Sequence, residues 1–385
     1  MHPTTDYFEF KNGLNPDAKR FGTGTKFISV MDILNNRFIT YDKIIGSVEP
    51  KGRELEDFGV NYGDVLFQRS SETLEDVGRA NVYLDNKTAL FGGFVIRGKK
   101  IGNYNPLFFR YLLSSPNVRK RIIVKGAGAQ HFNIGQDGLS KVSLFVPKEE
   151  EQERIGHLLN LIDERIETQN RIIEKLQSLM KGLNDYLQES ATLSYTLSFS
   201  DIGEDYSGLS GKSADDFGSG KPYITYLSVY SCTFVDDNCC AMVSVAPDER
   251  QNVVLNGDLL FTLSSETPEE VCYGAVYNGN EKEIYLNSFC FGVRNIEGKV
   301  YSPYMAYFFN SSRFRREVYP LAQGSTRFNL QKSDFLHKKF ALPSKDEQRK
   351  LFKILNAYDN KIKAEKLILA QYQLQKEFLL HNLFI

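Results

Sequence analysis

"FVPKEEEQERIGHLLNLIDERI" runs from Phe145 to Ile166, and "ALPSKDEQRKLFKILNAYDNKI" runs from Ala341 to Ile362. One constant offset of 196 lays Pro147 on Pro343, Glu151 and Gln152 on Glu347 and Gln348, Leu159 and Asn160 on Leu355 and Asn356, and Asp163 on Asp359. A gapless run of this length marks an internal repeat, so the chain is read as two copies of one plan.

The same offset continues upstream. "GAGAQHFNI" (Gly126 to Ile134) meets "AQGSTRFNL" (Ala322 to Leu330), with Gly128, Phe132, Asn133 and Ile134 on Gly324, Phe328, Asn329 and Leu330. Earlier still the match survives with small shifts, as insertions in loops would give. "NGLNPDAKRFGTGTKFISV" echoes "SGLSGKSADDFGSGKPYITYLSV", "YGDVLFQRSSET" echoes "NGDLLFTLSSET", and "YLLSSPNVRKRI" echoes "FFNSSRFRREV".

Each copy ends in a helical pattern. Ile155, Leu159, Ile162, Ile166, Gln169, Ile173, Leu176, Met180, Leu183 and Leu187 alternate in steps of four and three, a heptad seam with one polar member. In the second copy the register gives Leu351, Leu355, Tyr358, Ile362, Glu365, Leu369, Tyr372, Lys376, Leu379 and Leu383. Gln169 and Glu365 are themselves 196 apart, so the polar interruption recurs. A proline and then acidic residues open each helix and oppose the positive end of its dipole, and Ser344 with Glu347 fits a capping box. The 36 residues from Gln152 to Leu187 predict a strut of ~54 Å, longer than a domain core needs.

The parts before the helices read as mixed α/β. Short β-rich runs ("KFISVM", "DVLFQR", "TALFGGFVIR", "KVSLFVP") lie among Gly, Asn and Asp turns, and helices are predicted from Pro106 to about Lys120 and from Pro303 to about Glu317. The expected architecture is therefore two α/β domains, 1–147 and 191–343, each followed by a long helix, 148–190 and 344–385.

Composition is that of an ordinary globular protein, with 42% apolar and 25% charged residues. No run approaches the ~20 apolar residues of a membrane helix, and the start lacks a signal-peptide layout, which implies no membrane and a cytoplasmic location. The five cysteines, Cys232, Cys239, Cys240, Cys272 and Cys290, show no zinc spacing and read as buried free thiols rather than metal ligands. The net charge of −1 hides structure: Arg97 to Lys125 holds eight basic residues and no acid, and Arg294 to Lys339 holds nine basic and three acidic. A basic zone shortly before each long helix suits a polyanion.

Catalytic signatures are weaker. "GFVIRGKK" (Gly93 to Lys100) has the spacing of a phosphate-binding loop. It lacks the Ser or Thr that holds Mg²⁺ and is followed by "IGNYNP" rather than a helix, so it reads as a strand leaving through a basic turn. No Pro-Pro of a DNA amino-methyltransferase occurs, and the five histidines are scattered. The repeated "SSET" reads as a turn or strand end, since no histidine accompanies its serines. In "GAQHFN" and "GSTRFN" the shared Phe132, Asn133, Phe328 and Asn329 are expected to build a loop. The unlike pairs Gln130-His131 and Thr326-Arg327 are expected to face a phosphate or base edge.

With these residues in place, the chain resembles the specificity subunits of type I restriction-modification systems. The Pro-x-x-x-Glu-Gln lead-in followed by "LIDERIE" or "AYDNKIK" carries the resemblance, and its double occurrence extends it over essentially the whole chain. The resemblance implies a non-catalytic reader of double-stranded DNA. Each domain would be a target recognition domain for half of a split sequence, and the helices would pair as an antiparallel coiled coil that spans the spacer, with a pseudo-two-fold repeat. Two methyltransferase subunits carrying S-adenosylmethionine would dock on it, then restriction subunits using ATP and Mg, so no cofactor is expected in this chain. Phosphate contacts are then assigned to Lys99, Lys100, Arg119, Lys120, Arg121, Lys125, Arg313, Arg315, Arg316 and Arg327, so that replacing Arg119 to Arg121 with Ala should flatten the salt dependence of binding. The first copy starts almost directly at "FEFKNGLNPDAKRFG", whereas family members carry a further segment there, which implies a shortened start. Two other classes are weighed: a self-contained DNA modification enzyme, and a structural coiled-coil protein without nucleic acid.

Overall fold

A computed structural model describes all residues except Ala129, inside the quoted glycine-rich stretch, and Ile385; the side chain of Glu297 is likewise left undescribed. The chain divides into two units, Met1–Arg171 with Lys366–Ile385, and Ile172–Glu365.

In the first unit, an antiparallel sheet runs in the order Phe8–Asn12, Val95–Lys100, Val65–Gln68, Ala80–Val82. A second sheet sets Phe21–Ile28 between Ser47–Val48 and the parallel Leu90–Phe91. The second unit repeats this. Gly203–Ser207, Cys290–Asn295, Leu259–Thr262 and Gly274–Tyr277 are antiparallel in that order, with Phe234–Val235 added in parallel at the edge. Beside it Phe217–Ile224 lies between Cys240–Val243 and the parallel Tyr285–Leu286.

Local chemistry trims several expected elements. "KFISVM" is strand only to Ile28; Ser29 then caps the helix Val30–Asn35 through Asp32, whose carboxylate accepts from the Ser29 amide and hydroxyl at 2.7 Å each. "GFVIRGKK" stays in the sheet to Lys100, so its two lysines belong to a strand and not to a turn. Each single helix expected after the sheet is two: Pro106–Leu112 with Pro116–Ile123, and Ser302–Phe309 with Ser312–Val318. The break falls on Ser115 and on Ser311, buried residues whose hydroxyls donate to the Leu112 and Phe308 carbonyls at 2.7 and 2.6 Å. These bonds satisfy one helix end just before the next begins.

The long helices are Glu149–Ser190 and Lys345–Asn382, with acidic residues in both first turns. Only half of the expected capping box forms. The Ser344 hydroxyl accepts from the Glu347 amide at 3.3 Å, while the Glu347 carboxylate turns to Lys350 at 3.4 Å. Of the seam residues assigned to pairing, Leu159, Ile162, Gln169, Ile173, Leu351, Leu355, Ile362 and Glu365 are buried, and Ile155, Ile166 and Leu369 are half-buried. Tyr358 is the exception at 40% exposure; the next residue, Asp359, is half-buried and pairs with Lys363 one turn on at 2.9 Å. Within the first unit the two helix segments run antiparallel. Asp163 meets Lys376 at 2.6 Å, and Leu159, one turn earlier, shares a core with Leu379, Leu380 and Leu383 further along. Within the second unit Leu187 and Leu351 likewise share one core.

The repeated Gln of the lead-in explains why helix and domain are inseparable. Buried Gln152 donates to the Pro147 carbonyl at 2.8 Å and accepts from the Asn105 amide at 2.9 Å. Buried Gln348 donates to the Pro343 carbonyl at 2.9 Å and accepts from the Tyr301 amide at 2.8 Å. Replacing either with Ala leaves a carbonyl and an amide that are at least partly buried without this partner and should cost about 1 to 3 kcal/mol in urea unfolding. A midpoint equal to that of the unaltered protein would show that the amide does not tie helix to domain.

Candidate nucleic-acid interface

Two repeated motifs that look separate in sequence are hydrogen-bonded neighbours in space. The serines of "SSET" form the edge strands Ser70–Ser71 and Ser264–Ser265, and each pairs antiparallel with the repeated Phe-Asn: Phe132 with Ser71 and Asn133 with Ser70, Phe328 with Ser265 and Asn329 with Ser264. Nothing in either motif alone foretells this pairing; it lies in the fact that both recur together.

Phe-Asn is the returning arm of a hairpin. Ala127 bridges Asn133 in the first unit, and Gln323 pairs with Asn329 in the second, so the register is identical. Gly128 and Gly324 turn the chain with φ of 145° and 142°, and a Cβ there would come within 2.0 Å of the His131 carbonyl oxygen or 2.1 Å of the Arg327 carbonyl oxygen. Only glycine fits. Phe132 and Phe328 pack half-buried on their domain cores, while Ile134 and Leu330 are buried at the foot. The unlike pairs are left outside: Gln130, His131, Thr326 and Arg327 are all exposed. The two asparagines differ. Asn133 accepts from the Ser70 hydroxyl and donates to the His131 carbonyl at 3.2 Å, whereas among the described residues the Asn329 side chain has no hydrogen-bond partner and is exposed.

The basic residues assigned to phosphate fall into two groups. Arg119 and Arg315, 196 apart, are spent inside the protein. Arg119 donates to the carbonyls of Glu75 and Val77 at 2.8 and 2.7 Å, and Arg315 to those of Glu269, Val271 and Cys272 at 2.6, 2.6 and 2.8 Å. Burial pushes both guanidinium pKa values down, Arg119 to about 10 with Arg79 adding to the effect. Both arginines clasp the turn that follows "SSET". Lys100 donates to the Tyr104 carbonyl at 2.9 Å, Arg121 to the Ser143 carbonyl at 2.9 Å and Arg313 to the Ala341 carbonyl at 2.5 Å. All five are thus engaged by main-chain carbonyls of their own unit, mostly in part-buried bonds that a phosphate would have to replace. Lys99, Lys120, Lys125, Arg316 and Arg327 are exposed; Arg316 pairs with Glu189 at 2.9 Å. Arg294, inside the second basic zone, is likewise held by Asp258 at 3.1 Å.

Among the described residues no group of three or more His, Cys, Asp or Glu side chains could hold a metal ion, and no helix is long and apolar enough to cross a membrane. The cysteines are free; Cys272 and Cys290 are buried, and burial raises both thiols, while Cys232, Cys239 and Cys240 are only half-buried.

Two α/β units on one plan, each presenting a hairpin of the same register with an unlike tip and each containing segments of both long helices, define an internally duplicated protein. The model of the type I restriction modification DNA specificity domain matches residues 206–372, the second copy with most of its helix, and the first copy repeats that plan. The matched residues 206–372 are less than half of the chain, and the chain as a whole is similar to type I restriction-modification specificity subunits. It is 24% identical to the MjaVIII specificity subunit of Methanocaldococcus jannaschii over 334 residues, covering 80% of this chain and 75% of that protein. It is 25% identical to the EcoKI specificity subunit of Escherichia coli K12 over 182 residues, 46% of this chain but only 39% of that protein's length. The fold matches the type I S subunit from M. genitalium with a TM-score of 0.53 at 15% identity, covering 100% of this chain and 95% of that one. A chain from a structure of type I R-M complex assembly matches with a TM-score of 0.56 at 12% identity, covering 97% and 96%.

Because Arg119 and Arg315 hold the turn behind the hairpin, Arg119→Ala and Arg315→Ala should each lower unfolding stability by about 2 to 3 kcal/mol. Lys120→Ala, on the same short helix as Arg119, should leave it within about 0.5 kcal/mol. Equal and small effects in thermal melts of all three variants would refute the clasp.

Proposed function

We propose that each unit reads one half of a bipartite double-stranded DNA target, with the hairpin tip as the base-reading element. The observation that carries this is a hairpin of the same register, set on the same serine strand in both units, whose exposed tip residues Gln130-His131 and Thr326-Arg327 differ. A fixed mount with an exchangeable tip is what two different half-sites require. Gln130 and His131 in one unit, and Thr326 and Arg327 in the other, offer different donor and acceptor sets to base edges. Exposed Lys99, Lys120, Lys125 and Arg316 supply sequence-independent attraction to phosphate.

The long helices set the unread spacer and dock two methyltransferase subunits, which bring S-adenosylmethionine; restriction subunits bring ATP and Mg. The chain is a recognition subunit without chemistry of its own and works in the cytoplasm with its partners.

Co-expression with a cognate methyltransferase subunit and genome-wide mapping of methylated adenines should return a split motif. Exchanging the first tip for the second, Gln130→Thr with His131→Arg, should alter one half of that motif and leave the other half and the spacer unchanged. A continuous motif, or a tip exchange that changes neither half, would sink this reading. In vitro, Lys120→Ala and Lys125→Ala should each reduce the slope of log affinity against log salt by about 1, and Arg119→Ala should not.

A further inference from the structure

Besides Leu158 with Ile354 and Ile172 with Ile368 on the long helices, three exposed apolar side chains recur at matching places on the α/β parts of the two units. Phe21, Met31 and Phe94 are 47%, 59% and 70% exposed in the first; Phe217, Leu227 and Phe289 are 39%, 66% and 51% exposed in the second. Single surface hydrophobics need no explanation. The same three places are apolar in both copies although the hairpin tips have diverged, and more than a third of each side chain stands in water.

The backbone is shaped to hold the first of these outward. Phe21 and Thr25 both pair with Val48, so Gly22, Thr23 and Gly24 bulge from the strand; Phe217 and Lys221 both pair with Val243, and Gly218, Ser219 and Gly220 bulge likewise. The four glycines have φ of 104°, 89°, 108° and 107°. A Cβ on Gly24 would meet the Val48 carbonyl oxygen at 2.6 Å and one on Gly220 the Val243 carbonyl oxygen at 2.5 Å. Phe21 leans on Phe27 with ring centroids 5.4 Å apart, and Phe217 on Tyr223 at 5.3 Å, which fixes each ring while leaving part of it in water. In the first unit Phe21, Met31 and Phe94 line one cavity of about 390 Å³.

The third member joins this patch to the hairpin. The Phe94 carbonyl accepts from the Arg69 amide at 2.9 Å, and the Phe289 carbonyl from the Leu263 amide at 2.8 Å. The carbonyls of Arg69 and Leu263 in turn accept from Ile134 and Leu330, at the foot of each hairpin, at 2.9 and 2.8 Å. In the second unit the tip residue Arg327 lies over the Phe289 ring at 5.3 Å. What meets the Arg327 guanidinium therefore meets Phe289.

We infer that this apolar patch is a second DNA contact on each unit, pressing aromatic and aliphatic carbon on thymine methyls and deoxyribose beside the bases that the tip reads. The inference rests on the DNA reading proposed above and adds to it the part of the surface that charge does not serve. Its occupant is DNA rather than a protein because the Arg327 guanidinium of the tip lies over the Phe289 ring, so the phosphate or base edge that the tip meets also covers the ring.

The test uses the full chain in complex with its methyltransferase subunits and the duplex identified by methylation mapping, titrated over a salt series. Phe94→Ala, Phe289→Ala and the pair together are compared with the unaltered complex. Each single change should weaken binding roughly 5- to 10-fold, with the salt slope unchanged, because an apolar contact releases no counterions. Melting temperatures should not move, since both rings are exposed. Unchanged affinity would overturn the inference, and so would loss of complex assembly with DNA binding by the assembled fraction intact, which would assign the patch to a protein. If the unaltered complex retains no DNA, the underlying reading fails, and that result is distinct from either of these.

Discussion

Everything distinctive about this fold hangs on one buried amide used twice. Gln152 and Gln348 each reach back five residues to a proline carbonyl and across 47 residues to the amide that opens the first helix after the sheet. A primary amide suits this task because it donates and accepts at once; a carboxylate would repel the proline carbonyl and an ammonium could not accept. The long helix is thereby fastened to its α/β part at its first turn. Apolar packing of Leu159 or Leu351 on the same core then needs only to extend an alignment already set.

The bonds of that kind account for what was legible in the sequence. Residues consumed by the fold recur at fixed offset, so the repeat and the heptad pattern of the helices could be read directly, whereas the glycine-rich stretch read only as a loop and Tyr358, in the heptad pattern, is exposed. The boundaries and partners within each unit were less legible, for a physical reason. Whether "KFISVM" ends as strand depends on a carboxylate three residues beyond Ser29, and the break at Ser115 or Ser311 on a hydroxyl returning to its own helix.

Charge was the least legible property. A count of basic residues cannot tell a guanidinium that faces solvent from one that has found three carbonyls. Arg119 and Arg315 look like the centres of their basic zones and are instead the fasteners of a turn. Their recurrence was the available sign. A phosphate contact tolerates sliding along a surface, whereas a clasp on named carbonyls must keep its place, so strict recurrence of an arginine favours an internal role over an external one.

The same logic, applied to all recurring positions, separates fold from function. Gln152 and Gln348, Arg119 and Arg315, and Phe132 and Phe328 recur because buried partners hold them. Gln130-His131 and Thr326-Arg327 diverge because nothing inside the protein constrains them. One class on the α/β parts remains that neither account covers: side chains that recur, are apolar and stand in water. Exposing apolar carbon gains the folded state nothing, since burial is worth about 25 cal/mol per Å². Drift toward polar residues at such places would therefore meet no resistance from stability. Phe21, Met31 and Phe94, with their counterparts Phe217, Leu227 and Phe289, are kept by something outside the chain, and their continuity with the hairpin makes that something the molecule the hairpin touches.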